Sequence, residues 1–261
     1  MSNPFGNLNT DNLQENEDRL GGFSRPETDV YLMTIKVAYA GESQGGAKNV
    51  TLIGSLGSQE YRETIYVTNK KGENFFLSKT EKDANDNPKK IALPGFSTID
   101  DICQMVAGKG LGEQTVEEKI VNVYDPEAKK EMPKAVPVLT ELTGKTILLG
   151  IKKVLVNKSG PAPDYAPTEE TREENAIEKV FHPELRVTMV EAKEAAKNDK
   201  QPVAAFIDAW IERNKGKTQD KRTIKDGAGV KSGRPGSSNG GAPQAGAQSA
   251  RKSLFGNQAA A

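Results

Sequence analysis

Three strand-like segments, separated only by short polar loops, constrain the fold of this chain more than any other feature. Residues 31–39, 48–56 and 61–68 each alternate apolar and polar side chains, with glycine-containing loops at 41–46 and 57–59 between them. Alternation with a period of two is typical of a β-strand with one buried face. Short connections join strands that are antiparallel neighbours. The sequence therefore predicts an antiparallel three-stranded meander that begins near residue 29.

The alternation also predicts which side chains of the first two strands face the core. In the first strand the odd-numbered residues form the apolar face: Tyr31, Met33, Ile35, Val37 and Tyr39. In the second strand the apolar face carries Val50, Leu52 and Leu56. Both faces are expected to be buried in the same core.

The third segment carries the first candidate functional residues. Tyr61, Ile65 and Val67 form its core face, with Glu63 as the exception. The opposite face carries Arg62, Thr64, Tyr66 and Thr68. On one solvated sheet face, an aromatic ring can stack with an unpaired base while a cation neutralises the neighbouring phosphate. An ordinary solvated sheet face explains the same residues, since Tyr and Thr favour strands.

The rest of the first 158 residues sets these strands in a larger pattern. Residues 79–90 are polar and predict a surface loop. A helix is expected from Ser97, with Asp100 and Asp101 at the positive end of its dipole. Strands are predicted at 118–124, 135–139 and 146–156, and Gly150 in the middle of the last strand marks a bulge or a barrel corner. Three strands, a helix and further strands follow one another as in a five-stranded Greek-key barrel of the oligonucleotide/oligosaccharide-binding (OB) class.

The C-terminal part predicts additions to that barrel. A break at 159–165 precedes a short strand at 175–181, and Thr188 with Glu191 forms a capping box. A helix at 202–214 places Val203, Phe206, Ile207 and Trp210 on one face, with Trp210 expected to pack in the core. The predicted fold is mainly β with α additions: an OB barrel with C-terminal helices and disordered termini. Four regions are predicted: a flexible arm at 1–27, the OB domain at 28–158, an extension packed on the barrel at 159–215, and a disordered basic tail at 216–261.

The chain is neutral as a whole, but its charge is unevenly distributed. Basic and acidic residues number 36 each. Residues 216–261 contain eight basic and two acidic residues, a net +6, so residues 1–215 carry a net −6. Because phosphate contacts supply most non-specific affinity for nucleic acids, the acidic body argues against such a partner and the basic tail argues for one.

Several classes of site are disfavoured by composition. The single Cys103 and single His182 cannot form a Cys- or His-rich zinc site, and Cys103 is expected to be a small buried residue. A nucleophile–base pair and a phosphate-binding loop are both lacking, so we expect a protein that is not an enzyme and needs no cofactor or metal. No apolar run has the length needed to span a membrane.

Four stretches together resemble single-stranded DNA-binding proteins of tailed bacteriophages: Tyr61–Leu77, Ile91–Ile102, Val136–Leu142 and Trp210–Lys217. The resemblance extends over residues 28–217 and concerns pattern and order. It implies an OB-fold protein that coats single-stranded DNA during phage replication, recombination and repair, in the cytoplasm of the infected bacterial host. The chain departs from this family in two ways. It lacks the Cys and His residues of the zinc-bearing members, and its tail is basic where many members have an acidic one.

The predicted nucleic-acid contacts are Arg62, Tyr66, Lys36, Lys70, Lys71, Phe76 and Lys152. Phe255, in the tail, is predicted to bind phage or host replication proteins. The alternative prediction is that the basic tail contacts DNA. The alternative function is that of a structural or adaptor protein that assembles through its termini. The Phe-Gly-Asn tripeptide at residues 5–7 recurs at 255–257 and would suit a common partner. The sequence leaves the oligomeric state open.

Overall fold

The computed structural model describes residues 25–125, 128–161 and 165–224, and these ranges are mainly β with three α-helices added. The strands are β1 Asp29–Glu42, β2 Lys48–Leu56, β3 Gln59–Tyr66, β4 Phe75–Lys82, β5 Pro88–Ala92, β6 Val116–Asp125, β7 Lys130–Leu139, β8 Thr146–Ser159, β9 Pro167–Phe181 and β10 Thr218–Asp220. The helices are α1 Pro94–Ala107, α2 Met189–Lys197 and α3 Phe206–Asn214. The predicted N-terminal arm up to Ser24, the tail from Lys225 onwards and Phe255 lie outside the described residues.

Strand β1 is the centre of an eight-stranded sheet. One edge of β1 pairs antiparallel with β2, which in turn pairs with β3, so the predicted meander is confirmed. The other edge is shared, because the first half of β1 pairs with β8 and Tyr39 in its second half pairs with β7. β8 extends beyond the end of β1 and pairs antiparallel with β9. The short β10 pairs with β8 and runs parallel to β8. β4 and β5 form a separate hairpin.

A β-bulge at Lys36 changes which side chains of β1 face the core. The register with β2 slips by one residue between Ile35 and Val37. An extra residue in one strand reverses the alternation beyond it. Met33, Ile35 and Ala38 therefore lie in the main core, and the prediction that Val37 and Tyr39 share the face of Met33 is wrong. These two residues pack in a second cluster with Ile53, Val136 and Val138.

The main core lies between the inner face of the sheet and α1. Ile99, Ile102 and Cys103 of α1 are fully buried there, as are Leu52 and Ile151 of the sheet. The prediction that Cys103 is a small buried residue is confirmed, and burial raises the pKa of its thiol to about 12. The faces predicted for β2 and β3 are confirmed as well.

The predicted role of Asp100 and Asp101 as dipole complements is wrong. Helix α1 begins at Pro94, three residues earlier than predicted, so both residues lie beyond its first turn. The Asp100 carboxylate instead accepts hydrogen bonds from Leu111 N at 2.7 Å and from Gln104 Nε2 at 2.5 Å. Asp100 therefore fastens the loop after α1 to the helix.

The predicted surface loop at 79–90 is also wrong, because most of it belongs to the β4–β5 hairpin. The Asp83 carboxylate accepts hydrogen bonds from Asn85 N at 2.8 Å and from Asn87 N at 3.0 Å. Side chain-to-backbone bonds of this kind close a tight turn without any apolar side chain. Both strands of the hairpin are largely exposed, so they lack the alternation that identifies a strand in the sequence.

The C-terminal part differs from the prediction at its boundaries. β9 begins at Pro167, eight residues earlier than predicted, and pairs with β8 in the main sheet. The capping box of Thr188 and Glu191 is confirmed. Helix α3 begins at Phe206, four residues later than predicted, and Val203 is exposed.

The predicted start of the disordered tail at Gly216 is too early. Thr28 Oγ1 donates a hydrogen bond to Lys217 O at 2.6 Å and accepts one from Lys153 N at 2.8 Å. These bonds hold β10 beside the start of β1. Further along, the Asn157 side chain binds the backbone of Thr223 and Ile224.

The burial predicted for Trp210 is confirmed, whereas the bulge predicted at Gly150 lies in the partner strand. The register of β8 with β9 shifts beside Gly150 because β9 contains the extra residue, Glu178. A Cβ atom at Gly150 would lie 3.1 Å from the Trp210 ring, so the ring packs directly on the backbone of β8. Trp210 is buried, and its Nε1 donates to Glu178 at 2.8 Å.

Glu63 bridges the open seam of the sheet between β3 and β9. In the part of the chain that the structure describes, no strand ladder joins these two edges. The Glu63 carboxylate crosses the gap and accepts hydrogen bonds from Ile177 N of β9 at 3.0 Å and from the Tyr61 hydroxyl at 2.5 Å. Burial raises the pKa of Glu63, although these hydrogen bonds partly offset it. Glu63, the charged exception on the predicted core face of β3, therefore connects the two sheet edges.

We predict that Glu63 makes the free energy of unfolding depend on pH. A carboxyl whose pKa is raised by folding binds its proton more tightly in the folded state. The free energy of unfolding then decreases as the pH rises from the ordinary pKa of a Glu side chain, about 4.3, through the pKa of Glu63 in the folded protein. Glu63→Gln lacks this decrease, so its stability relative to wild type should increase as the pH rises above about 4. Urea unfolding at several pH values measures the difference.

Glu118→Gln is the control, because Glu118 is an exposed carboxylate that forms no ion pair with the other described residues. Its stability should follow that of the wild type across the pH series. A constant difference between Glu63→Gln and wild type at every pH would show that Glu63 does not titrate in this window.

Candidate nucleic-acid interface

The outer face of β3 presents the side chains that the sequence singled out. Arg62, Thr64 and Tyr66 lie on the side of the sheet opposite the main core and are exposed. The Thr64 hydroxyl lies 2.8 Å from the hydroxyl of Thr51 on β2. This hydroxyl pair continues the polar face from β3 onto its neighbour.

Arg62 is held in place from two sides. Its guanidinium donates to the Tyr39 hydroxyl of β1 at 2.8 Å and forms an ion pair with Glu131 of β7 at 2.9 Å. The Arg62 side chain is 30% exposed, so a ligand can still reach the guanidinium. Glu131 partly neutralises the charge of the guanidinium, and a phosphate would compete with the Glu131 carboxylate for the guanidinium.

Tyr66 is the most exposed aromatic residue of this face. It ends β3 opposite Asn49 of β2, and 52% of its surface is exposed. The first turn of α1 covers its backbone so closely that a Cβ atom at Gly95 would lie 2.2 Å from the Tyr66 carbonyl oxygen. The backbone of Tyr66 is therefore fixed by packing while its ring projects to solvent.

Two lysines follow Tyr66 in a turn that its own side chains close. Asn69 Oδ1 accepts hydrogen bonds from Lys71 N at 2.8 Å and from Glu73 N at 3.0 Å. The turn lies against the β1–β2 loop, since a Cβ atom at Gly45 would be 3.3 Å from Lys70 Cε. Within the described ranges, neither Lys70 nor Lys71 has a carboxylate at ion-pair distance. Both ammonium groups are available to a ligand.

The β4–β5 hairpin extends this basic and aromatic surface. Phe76 and Leu77 are 46% and 55% exposed, and Lys90 Nζ lies 4.5 Å from the centroid of the Phe75 ring. Residues 69–93 contain six lysines and four acidic residues, a net +2. The surface beyond Tyr66 is therefore basic, although residues 1–215 as a whole are acidic.

The seven residues predicted to contact nucleic acid do not all lie together. Arg62, Tyr66, Lys70, Lys71 and Phe76 follow one another along β3, the turn and β4. Lys36 lies at the other end of the face and forms an ion pair with Glu60 at 2.9 Å. Lys152 is only 15% exposed and binds Glu178 at 2.6 Å, beside the seam at Glu63. The structure thus separates Lys152 from the outer face.

Sequence reasoning missed Tyr39, Glu131, Phe75 and Lys90. Tyr39 reaches Arg62 only because the bulge at Lys36 turns it outward. Glu131 comes from a hairpin that is distant in sequence, and no local pattern indicates its contact. Phe75 and Lys90 meet across the β4–β5 hairpin, which the polar composition of residues 79–90 concealed.

Other kinds of site lack support in the described residues. No three His, Cys, Asp or Glu side chains there come together as a metal site would require. The His182 ring instead accepts backbone hydrogen bonds from Glu184 and Leu185. Among the helices that the structure describes, none has the length and apolar character needed to cross a membrane.

The chain matches no protein-family model, and no curated protein matches it either. The geometry of the chain itself is therefore the basis for its proposed function.

We predict that Tyr66→Ala leaves the fold intact. Because half of the Tyr66 side chain is already in water, its truncation should change the free energy of unfolding by at most about 0.5 kcal/mol. Trp210→Ala, at a buried ring, should cost about 3–5 kcal/mol. Urea unfolding of both variants tests the contrast. A large loss of stability in Tyr66→Ala would indicate a structural role for its ring.

Proposed function

We propose that this protein binds single-stranded DNA with little sequence specificity, through the outer face of β3, the turn at 69–74 and the β4–β5 hairpin. The observation that carries the proposal is the exposed Tyr66 ring followed by two lysines that have no carboxylate partner among the described residues. Every base has a π-face, so stacking on such a ring tolerates any sequence. Lysines beside the ring neutralise the phosphates.

The arrangement favours an unpaired strand over a duplex. A base can stack on Tyr66 or Phe76 only when its face is free, whereas the faces of duplex bases are covered by neighbouring base pairs. The surface is a sheet face with an adjoining hairpin, and no described helix projects from it in the way that readers of the major groove require. We therefore expect duplex DNA to compete poorly.

We also propose that β1–β3, α1, the β6–β7 hairpin and β8 represent an OB-type Greek-key barrel whose seam is open between β3 and β9. The order of elements and the sharing of β1 between two sets of strands support this interpretation. The resemblance to phage single-stranded DNA-binding proteins supports a role in coating DNA during phage replication, recombination and repair. The interface has the chemistry of a binding surface, and we do not propose catalysis.

The first test is titration of labelled oligo-dT by fluorescence anisotropy, with wild type and Tyr66 variants. Loss of one stacked base is worth about 1–3 kcal/mol, so Tyr66→Ala should weaken binding about 5- to 150-fold. Tyr66→Phe keeps the ring and should bind almost as wild type does. A duplex of equal length should bind more weakly than the single strand to every variant.

Tyr165→Ala is the matched control. Tyr165 is 61% exposed, but it lies in the β8–β9 loop, beyond the part of β8 that pairs with β1. Tyr66 lies near the opposite end of β1, beside the β1–β2 loop. Equal weakening by Tyr66→Ala and Tyr165→Ala would remove the specific role of Tyr66. If wild type fails to bind oligo-dT at low salt, the function is not this one, and a structural or adaptor role becomes the better hypothesis.

A second test uses the ion pair between Arg62 and Glu131. Glu131→Gln releases the Arg62 guanidinium from its carboxylate partner, so affinity for oligo-dT should increase. One additional phosphate contact on a single strand steepens the slope of log affinity against log salt by about 0.7. Salt titrations of wild type and variant measure both changes.

Glu118→Gln controls for the change in net charge. Glu118 is exposed on the same β6–β7 hairpin and has no ion pair with the other described residues. Its substitution should raise the affinity less than Glu131→Gln and leave the slope unchanged. Identical effects of the two substitutions would show that Arg62 makes no new phosphate contact.

A further inference from the structure

A groove of about 930 Å³ lies away from the outer face of β3, between α1, the end of β9, α2 and α3. Three apolar side chains line it and remain exposed to solvent. Val190, Val203 and Phe206 are 73%, 75% and 41% exposed, respectively. An exposed apolar lining rimmed by polar residues is typical of an interaction site.

Hydrogen bonds to the Glu191 carboxylate maintain this groove. One oxygen of its carboxylate accepts from Ala205 N at 3.0 Å and from Phe206 N at 2.8 Å, and the other accepts from Thr188 N at 2.8 Å. These bonds join the start of α2 to the start of α3. They fix the end of the segment between the two helices, in which residues 201–205 form neither helix nor strand and Val203 is exposed.

The groove is also acidic. Its charged lining residues are the carboxylates Asp101, Glu178, Glu191 and Glu194 and the lysines Lys179 and Lys200, a net −2. Burial raises the pKa of Asp101, and the nearby Lys193 and Lys179 only partly offset this effect. A cation beside Asp101 would favour its ionised form. The groove therefore suits a ligand that combines apolar side chains with positive charge.

Two segments of this chain lie outside the described residues and differ in charge. Residues 1–24 contain four acidic residues and one basic residue, a net −3. Residues 225–261 contain five basic residues and one acidic residue, a net +4. Within the second segment, Arg251-Lys252-Ser253-Leu254-Phe255 places two cations next to its one aromatic residue. Charge complementarity thus favours residues 251–255.

The length of the chain permits this segment to reach the groove. Asn157 holds Ile224 near its partner Thr171 on β9, and the groove begins at Glu178. Seven residues of β-strand correspond to about 23 Å. A chain of 26 residues with the Gly-, Ala- and Ser-rich composition of residues 225–250 spans on average about 25–31 Å.

We propose that the groove between α1, α2 and α3 binds residues 251–255 of the same chain, with Leu254 and Phe255 against Val190, Val203 and Phe206 and with Arg251 and Lys252 near Asp101 and Glu194. This contact is separate from the proposed DNA interface. It holds whether or not the outer face of β3 binds single strands.

The test uses the full-length protein and a fluorescein-labelled peptide of residues 247–259. In wild type the tethered segment competes with the peptide at an effective concentration of about a millimolar. The variant L254A/F255A leaves the groove open, so it should bind the peptide at least about tenfold more tightly than wild type. Adding Val203→Asp to that variant should reduce peptide affinity by about tenfold or more.

Val116→Asp in the same L254A/F255A background is the matched control. Val116 is 53% exposed on the β6–β7 hairpin, and its substitution should leave peptide binding unchanged. Equal peptide affinity for wild type and L254A/F255A, or for the Val203→Asp and Val116→Asp proteins, would overturn the proposal. A mass that doubles with concentration in wild type but not in L254A/F255A would overturn binding within one chain and assign the contact to a second copy.

Discussion

The sharing of β1 between two sets of strands is the constraint on which the rest of the structure depends. A single edge of this strand pairs with β8 over Asp29–Thr34 and with β7 at Tyr39. Both partners run antiparallel to β1 and occupy successive stretches of its edge. The bulge at Lys36 lies between these two stretches, and an extra residue bends a strand and locally increases its twist. The backbone of Ile35 completes the junction by binding Lys145 O and Gly144 N.

A second consequence of this bulge is the cluster formed by Val37, Tyr39, Ile53, Val136 and Val138. Beyond Lys36 the side chains of β1 exchange faces, so Tyr39 points away from the main core and towards the β6–β7 hairpin. That orientation brings its hydroxyl to Arg62. The position of the most prominent cation of the candidate interface is thus determined by a bulge in a different strand.

Strand β3 connects the core to the candidate interface. Its inward side chains, Tyr61 and Ile65, pack in the main core, and Glu63 bridges the seam to β9. Its outward side chains present Arg62 and Tyr66 to solvent. A buried carboxylate contributes little net stability, since desolvation offsets the hydrogen bonds that it accepts. Its hydrogen bonds to Ile177 nevertheless join two sheet edges that no described ladder connects.

The sequence by itself determined those parts of the protein in which local pattern and burial agree. The faces of β2 and β3 and the capping box of Thr188 and Glu191 follow from side chains within a few residues of one another. The exposure of Arg62 and Tyr66 on one face follows from strand alternation in the same way.

Only the tertiary structure decided which distant elements meet. The bulge at Lys36 has no local signal in the sequence, and it lies between the stretches of β1 that pair with β8 and with β7. The start of α3 coincides with a carboxylate on α2 that accepts hydrogen bonds from Ala205 N and Phe206 N. Lys152 is separated from the outer face because β8 lies on the opposite side of β1 from β2 and β3. These features arise from contacts between residues far apart in the chain, and periodicity along the sequence carries no information about such contacts.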